Sequence, residues 1–334
     1  MIVNLYNPSR FAQAELQGTF IYAIKVIDKT LENYFDVIRV HRDRYMGNAL
    51  NILINDTGLA IHGRMLADVW WADTILFPFH YAFVPAEING LFRKNYVLSR
   101  YVKEKLNNIG VRVDGIVQYP IDDVLFYYWK PYDKRKYDVA FLGKSYPYDR
   151  KNVKLAYEIF NELGVKALMI TNEKLKPTRY VEIFNATSVS EKMKGKILSS
   201  AKVFFFPSKS EGMGIPVLEA MATGTPVIYT KGHGTEDFAY GIGVSPISRR
   251  YTFSNTGVAE MYIYGKEELK EALLTVIDMD KEEWTDFSIR TKSKALERFK
   301  IILEGMRKIL NTPKSEFNTL RLYELREVLE NANG

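Results

Sequence analysis

Residues 203–230 read VFFFPSKSEGMGIPVLEAMATGTPVIYT, and no other stretch narrows the folding choices of this chain so far. The run Val203 to Phe206 is apolar and aromatic, too short for a helix and rich in residues that favour extended backbone, so it predicts a buried strand. Pro207 ends it. A polar loop with Glu211, Gly212, Met213 and Gly214 follows, and Pro216 then stands where a first-turn proline is tolerated, because its missing N–H would have no helical acceptor. A short helix is expected from near Ile215 through Ala222, with Gly224 as a left-handed stop before the strand Pro226 to Tyr229.

A strand, a glycine loop, a helix N-terminus and a second strand form the geometry that α/β proteins use to hold an anion at the carboxyl end of a parallel sheet. Glycines allow close backbone approach, and first-turn amides face the ligand. Glu211 precedes the helix and Glu219 lies about one turn inside it, so both carboxylates can border one pocket at different depths. A phosphate beside two carboxylates is repelled unless each acid holds something neutral, such as sugar hydroxyls. That combination points to a sugar nucleotide.

Strands alternate with helices along the chain, which implies a parallel, doubly wound sheet. Ile2–Tyr6, Phe35–Val40, Asn51–Ile54 and Thr74–Phe79 read as strands of a first half, with a helix from Gly18 to about Leu31. Tyr96–Leu98 leads to a helix from Tyr101, for which Ser99 is the expected N-cap. The Tyr-, Pro- and Lys-rich stretch up to Tyr137 reads as a linker. A second half opens with the strand Val139–Leu142, a helix from about Asn152 to Leu163, the strands Ala167–Thr171 and Val181–Phe184, and a helix Glu191–Ala201. Helices Lys266–Ile277, Lys281–Leu310 and Glu316–Asn331 close the chain.

Length and charge set outer limits. A chain of 334 residues is long enough for two domains. The absence of cysteine excludes disulfides, thiolate metal sites and cysteine nucleophiles. A net charge of +6 favours anionic partners, yet the basic residues are dispersed, so nucleic acid is not expected. The N-terminus lacks a signal-peptide pattern, and Val69–Val84 is interrupted by Asp73, Pro78 and His80; a cytoplasmic location is expected, with peripheral membrane contact left open.

Glu211 and Glu219, enclosing Gly-Met-Gly-Ile-Pro, resemble the E-x7-E signature of retaining GT-B glycosyltransferases of family GT4. The ordinary alternative is a loop acid and a solvated helix acid in a common α/β crossover. The resemblance extends to YVLSRYVKEKLNNIGV and to the glycine-rich turn GHGTEDFAYGIGV with Glu236. It implies a GT-B fold, with an acceptor-side Rossmann-like domain over residues 1–132 and a nucleotide-sugar-binding one over 133–312. A C-terminal helix, 313–334, would pack back on the first domain.

By the same resemblance, Glu219 would hold ribose hydroxyls and Glu211 hydroxyls of the donor sugar, while the amides of Gly212, Met213, Gly214 and Ile215 contact sugar and phosphate. Lys144 and Lys151, with Arg150 as a competitor, lie on the loop GKSYPYDRKN, where cations suit a departing diphosphate; the alternative is a solvated basic loop. Gly18 falls in the loop that approaches donor and acceptor. His80 stands where the family carries a cleft histidine, with His62 as its rival. Catalytic roles thus fall on Glu211, His80 and Lys151. Asp278 and Asp280 spell DxD, but between two helices, where Asp280 reads as an N-cap; no metal or other cofactor is expected. The implied reaction is retaining transfer of a hexose from a nucleotide diphosphate sugar to a glycan, lipid or protein. The alternatives are an inactive nucleotide-sugar or carbohydrate-binding protein and a GT-B phosphorylase or epimerase.

Overall fold

A computed structural model describes residues 1–6, 19–40, 50–55, 67–71, 92–108, 110, 112–144, 149–185, 189–254, 257–311 and 320–330. The chain divides into two compact units. The first is Met1–Pro120 with Phe253–Ala259 and Phe299–Tyr323; the second is Ile121–Thr252 with Glu260–Arg298 and Glu324–Gly334.

The first unit is built on strands β1 (Ile2–Tyr6), β2 (Ile38–Val40), β3 (Leu50–Asn55), β4 (Ala67–Trp71), β5 (Phe92–Val97) and β6 (Gly115–Ile116). They lie in the order β2-β1-β3-β4-β5-β6, and every pair is parallel. Helix α1 (Thr19–Tyr34) buries Ile27, Leu31 and Tyr34, and the Tyr34 ring meets Phe299 edge-on at 5.7 Å. Helix α2 (Arg100–Asn108) starts as expected: the Val102 amide donates to Ser99 Oγ at 3.2 Å. The expected strand Thr74–Phe79 lies outside the described residues. The strand beside β3 is Ala67–Trp71, which overlaps the apolar stretch Val69–Val84 only from Val69 to Trp71.

The second unit contains β7 (Tyr137–Leu142), β8 (Ala167–Thr171), β9 (Val181–Asn185), β10 (Ala201–Phe206), β11 (Val227–Thr230) and β12 (Ile242–Val244). Their order is β12-β11-β10-β7-β8-β9, again all parallel. Helices α3 (Val153–Leu163), α4 (Glu191–Leu198) and α5 (Ile215–Ala222) cross between strands, and α6 (Lys266–Ile277) follows; α7 (Lys281–Leu310) passes into the first unit at Phe299, and α8 (Leu320–Glu330) returns to the second at Glu324. Because side chains alternate along a strand, β10 serves two layers. Val203 and Phe205 join the core with Ile159, Phe160 and Trp284, whereas Phe204 and Phe206 stack on each other at 5.8 Å. The strand order reverses between β7 and β10, and the carboxyl ends of such a pair are where open α/β sheets place their ligands.

Residues 123–137, expected as a linker, are instead packed into this unit. A 3-10 helix, Asp123–Tyr127, buries Leu125 and Phe126 and packs on α4 and α5. Arg135 is buried, donates to the carbonyls of Lys130 and Ala201 and to Thr225 Oγ1, and lies 4.5 Å from the Trp284 ring. Apolar and aromatic side chains such as Leu125 and Phe126 gain free energy by leaving water, which favours packing over a solvated connector. A two-stranded sheet of β13 (Ser248–Ser254) and β14 (Gly257–Ile263) lies outside what the sequence reading expects.

Candidate active site

The site grows from two loops at the carboxyl ends of β7 and β10. After β7 the chain turns through Asp149 and Asn152, at φ 48° and 56°, a left-handed region that Asp and Asn enter at lower cost than other side chains. Asp149 Oδ1 accepts the first amide of α3, Val153 N–H, at 2.7 Å, and Asn152 Nδ2 donates to the Pro207 carbonyl at 2.9 Å. The Lys209 amide donates to the Arg150 carbonyl at 2.8 Å. These bonds lace the loop after β7 to the loop after β10.

That lacing brings Arg150 and Lys151 onto Glu211. Arg150 Nη1 lies 3.0 Å from Glu211 Oε2 and also donates to the Ser210 carbonyl at 2.6 Å; Lys151 Nζ and Ser208 Oγ both donate to Oε1. Lys151 Nζ sits 4.5 Å above the Phe206 ring as well. Burial alone would raise the Glu211 carboxyl pKa, but the charges of Arg150 and Lys151 overcome it, helped by hydrogen bonds from Lys151 and Ser208, and bring it down to about 2. Glu211 is therefore a fixed carboxylate between two cations.

Beyond Glu211 the backbone turns into α5 through Gly214, whose φ of 86° is a left-handed value. A Cβ at this position would also lie 2.5 Å from Thr235 Cγ2, so the loop accepts only glycine without rearrangement. Helix α5 has Pro216 in its first turn and spans Ile215–Ala222, the expected limits. The amides of Gly212, Met213, Gly214 and Ile215 donate to no protein acceptor among the described residues. They form the positive end of a helix beside two cationic side chains.

His233, at the carboxyl end of β11, fixes this loop from the other side. Its Nε2 lies 3.1 Å from the Ser208 carbonyl, which can only accept, so Nε2 carries the proton and Nδ1 accepts from Thr235 Oγ1 at 2.5 Å. Burial lowers its pKa to about 4, against the opposing pull of Glu211, and the ring is neutral at neutral pH. Sequence reasoning gave this histidine no role. The signal available was its place between two glycines directly after a strand.

Glu219 is held apart from Glu211. It is 1% exposed, and Lys194 Nζ on α4 donates to its Oε1 at 2.5 Å and to Glu191 at 3.0 Å. Lys194 was not singled out in the sequence. Lys144, half-buried at the end of β7, makes no hydrogen bond or ion pair within the described residues. Met213 is buried. Gly18, His62 and His80 lie outside the described residues. Asp280 caps α7 as expected, with Oδ1 accepting from the amides of Glu282 and Glu283 at 2.8 and 2.9 Å. Glu236 closes its own turn, accepting from the Gly232 amide at 2.9 Å. No described helix is long and apolar enough to cross a membrane.

Two parallel-sheet units of this kind, with the strand order described above, define a GT-B-type α/β protein. The fold is shared with solved structures at low identity. HepE of Anabaena in complex with UDP and glucose superposes with a TM-score of 0.64 at 13% identity, covering 94% of this chain and 100% of that one. Sucrose-phosphate synthase of Thermosynechococcus elongatus gives 0.60 at 13%, covering 78% and 73%. Residues 173–239, which carry Lys194, Glu211, Glu219 and His233, match the model of the family described as glycosyl transferases group 1. Over 226 residues the chain is 27% identical to "Putative glycosyltransferase 41" of Sulfolobus islandicus filamentous virus, covering 67% of this chain and 65% of that protein. "Putative glycosyltransferase 48" of the same virus is 29% identical over 215 residues, covering 62% and 65%. The matched region thus spans just under two thirds of the length of these relatives.

Proposed function

We propose that this chain is a retaining glycosyltransferase that moves a hexose from a nucleotide diphosphate sugar to a hydroxyl of a glycan, lipid or protein. One observation carries the reading: cations from the loop after β7 and the carboxylate from the loop after β10 meet at the strand-order reversal, beside a helix N-terminus with open amides. Such a corner suits a group that is anionic at one end and hydroxyl-rich at the other. The diphosphate lies against the α5 N-terminus, and Glu211 accepts from hydroxyls of the sugar. Glu219 takes the ribose hydroxyls, and Lys144 adds charge at the mouth of the β7 loop.

In the reaction, the anomeric carbon exchanges its bond to a diphosphate oxygen for one to the acceptor oxygen, and the acceptor proton ends on the nucleoside diphosphate. Negative charge grows on the departing oxygens. Arg150, Lys151 and the α5 amides are preorganised donors for that charge, the role for which a metal serves in other transferases. Because Arg150 and Lys151 also hold Glu211, the donor sugar and its leaving group are positioned by one charge network. His80 remains the proposed hydrogen-bonding group near the acceptor. The resemblance stated on Glu211 and Glu219 supports retention of configuration.

Purified protein incubated with UDP-, GDP- and ADP-hexoses and a mixture of glycan and lipid acceptors tests the reading. Release of one nucleoside diphosphate coupled to a new glycoside supports it. Binding without turnover would favour a non-catalytic carbohydrate-binding protein, and phosphate-dependent cleavage or isomerisation a phosphorylase or epimerase.

A further inference from the structure

The Glu219 carboxylate is almost fully enclosed inside a helix whose residues are all buried except Pro216. A carboxylate in such a place keeps its charge only against a partner. That partner comes from a different helix. Lys194 on α4 is itself buried, and its ammonium is shared between Glu219 and Glu191. Burial pulls the Lys194 pKa down, and the charges of Glu219 and Glu191 more than offset this, so the group stays a cation. The lysine reaches so deep because its neighbour Gly195 lets α4 lie directly on Tyr128, where a Cβ would stand 2.4 Å from the ring.

We propose that Lys194 is the positioning residue of the nucleoside half of the donor site: its ammonium holds the Glu219 carboxylate in place, and so sets the discrimination between a ribonucleotide and one lacking the ribose hydroxyls. This rests on the donor reading given above. A carboxylate held in one orientation can accept two hydrogen bonds from a cis-diol. Lys194 occupies one direction at Oε1 and fixes the rotamer. Glu191, at the first position of α4, shares the ammonium and takes up the excess negative charge of the trio. Burial, Glu219 and Asp122 push its pKa up to about 7, the Lys194 charge opposing them. The acids that act on Glu191 are thus Glu219 from α5 and Asp122 from the turn before the 3-10 helix.

The test is calorimetric binding of whichever of UDP, GDP or ADP the wild type prefers, against its 2′,3′-dideoxy analogue. In the wild type the ribonucleotide is expected to bind at least tenfold more tightly. In Lys194→Met that ratio collapses toward one. Lys194→Arg, which restores the charge, should recover discrimination. Lys194→Gln keeps a hydrogen-bond donor without the charge and replaces the Met variant if that one does not fold; it must show the same loss. A folded Lys194→Met or Lys194→Gln with the wild-type ratio overturns the proposal and leaves the donor reading standing. A wild type that binds but does not discriminate also overturns it. A wild type that binds none of the three nucleotides overturns both.

Discussion

Arg150 and Glu211, 61 positions apart in sequence, meet 3.0 Å apart where the strand order of the second unit reverses. Arg150 follows β7 and Glu211 follows β10, the two strands that flank the reversal. The ion pair therefore ties the two loops that must act together if a diphosphate and a sugar are to be gripped at once.

Glu211→Gln keeps the shape of the side chain and leaves Arg150 and Lys151 without their counter-charge. Turnover of the donor should fall by at least a hundredfold, while affinity for the free nucleoside diphosphate changes by less than about tenfold. Initial rates and calorimetric Kd values check the split. Unchanged turnover would remove Glu211 from the mechanism.

The same pair sets part of the acid stability. With its carboxyl held at about 2 when folded, Glu211 contributes about 3 kcal/mol that is fully present above its unfolded pKa, near 4.5, and is lost as pH falls toward 2. Denaturant unfolding of wild type and Glu211→Gln should therefore converge between pH 4.5 and pH 2.

His233 acts in a different window. Its folded pKa of about 4 lies below the unfolded value near 6.5, so between these limits the unfolded chain binds the extra proton and stability rises with pH. A change of about 3 kcal/mol is expected across pH 4 to 6.5, and His233→Gln should flatten it. Equal slopes in the two proteins would contradict the buried, neutral assignment.

Gly214→Ala places a methyl against Thr235 Cγ2 at a backbone angle that alanine resists. The expected cost is about 1–3 kcal/mol of stability with a parallel loss of nucleotide affinity. Adding Thr235→Ser removes the opposing methyl and keeps the hydroxyl that serves His233, so it should recover part of both losses.

Lys292 offers a stability prediction away from the site. Its ammonium is buried with no hydrogen-bond partner among the described residues, and burial, with the nearby Arg135 charge, lowers its pKa to about 8. Lys292→Met should raise stability by about 1–3 kcal/mol at pH 7, with the gain fading between pH 8 and 10.5 as the unfolded lysine also loses its proton.

Much of the central segment was legible because local signals agreed there: an apolar run for β10, Pro216 and Gly214 at the start of α5, and Gly224 after its end. Asp280 was readable as a cap for the same reason. Lys194 was not. It sits in EKMKGKIL among three lysines that alternate like a solvated face, and only the approach of α4 to Tyr128 turns it inward. Residues 123–137 read as a linker because composition cannot say against what an aromatic side chain will pack. The β13–β14 pair carried a signal that went unused, two β-prone runs on either side of Asn255-Thr256-Gly257.

The Arg150–Lys151–Glu211 corner is proposed to receive the diphosphate of a sugar nucleotide. Calorimetric titration of UDP, GDP and ADP into wild type and Lys151→Ala is the decisive measurement. One nucleotide is expected to bind the wild type, and Lys151→Ala to weaken it at least tenfold with a reduced dependence on salt. Binding of none of the three, or an affinity unaltered by Lys151→Ala, would contradict it.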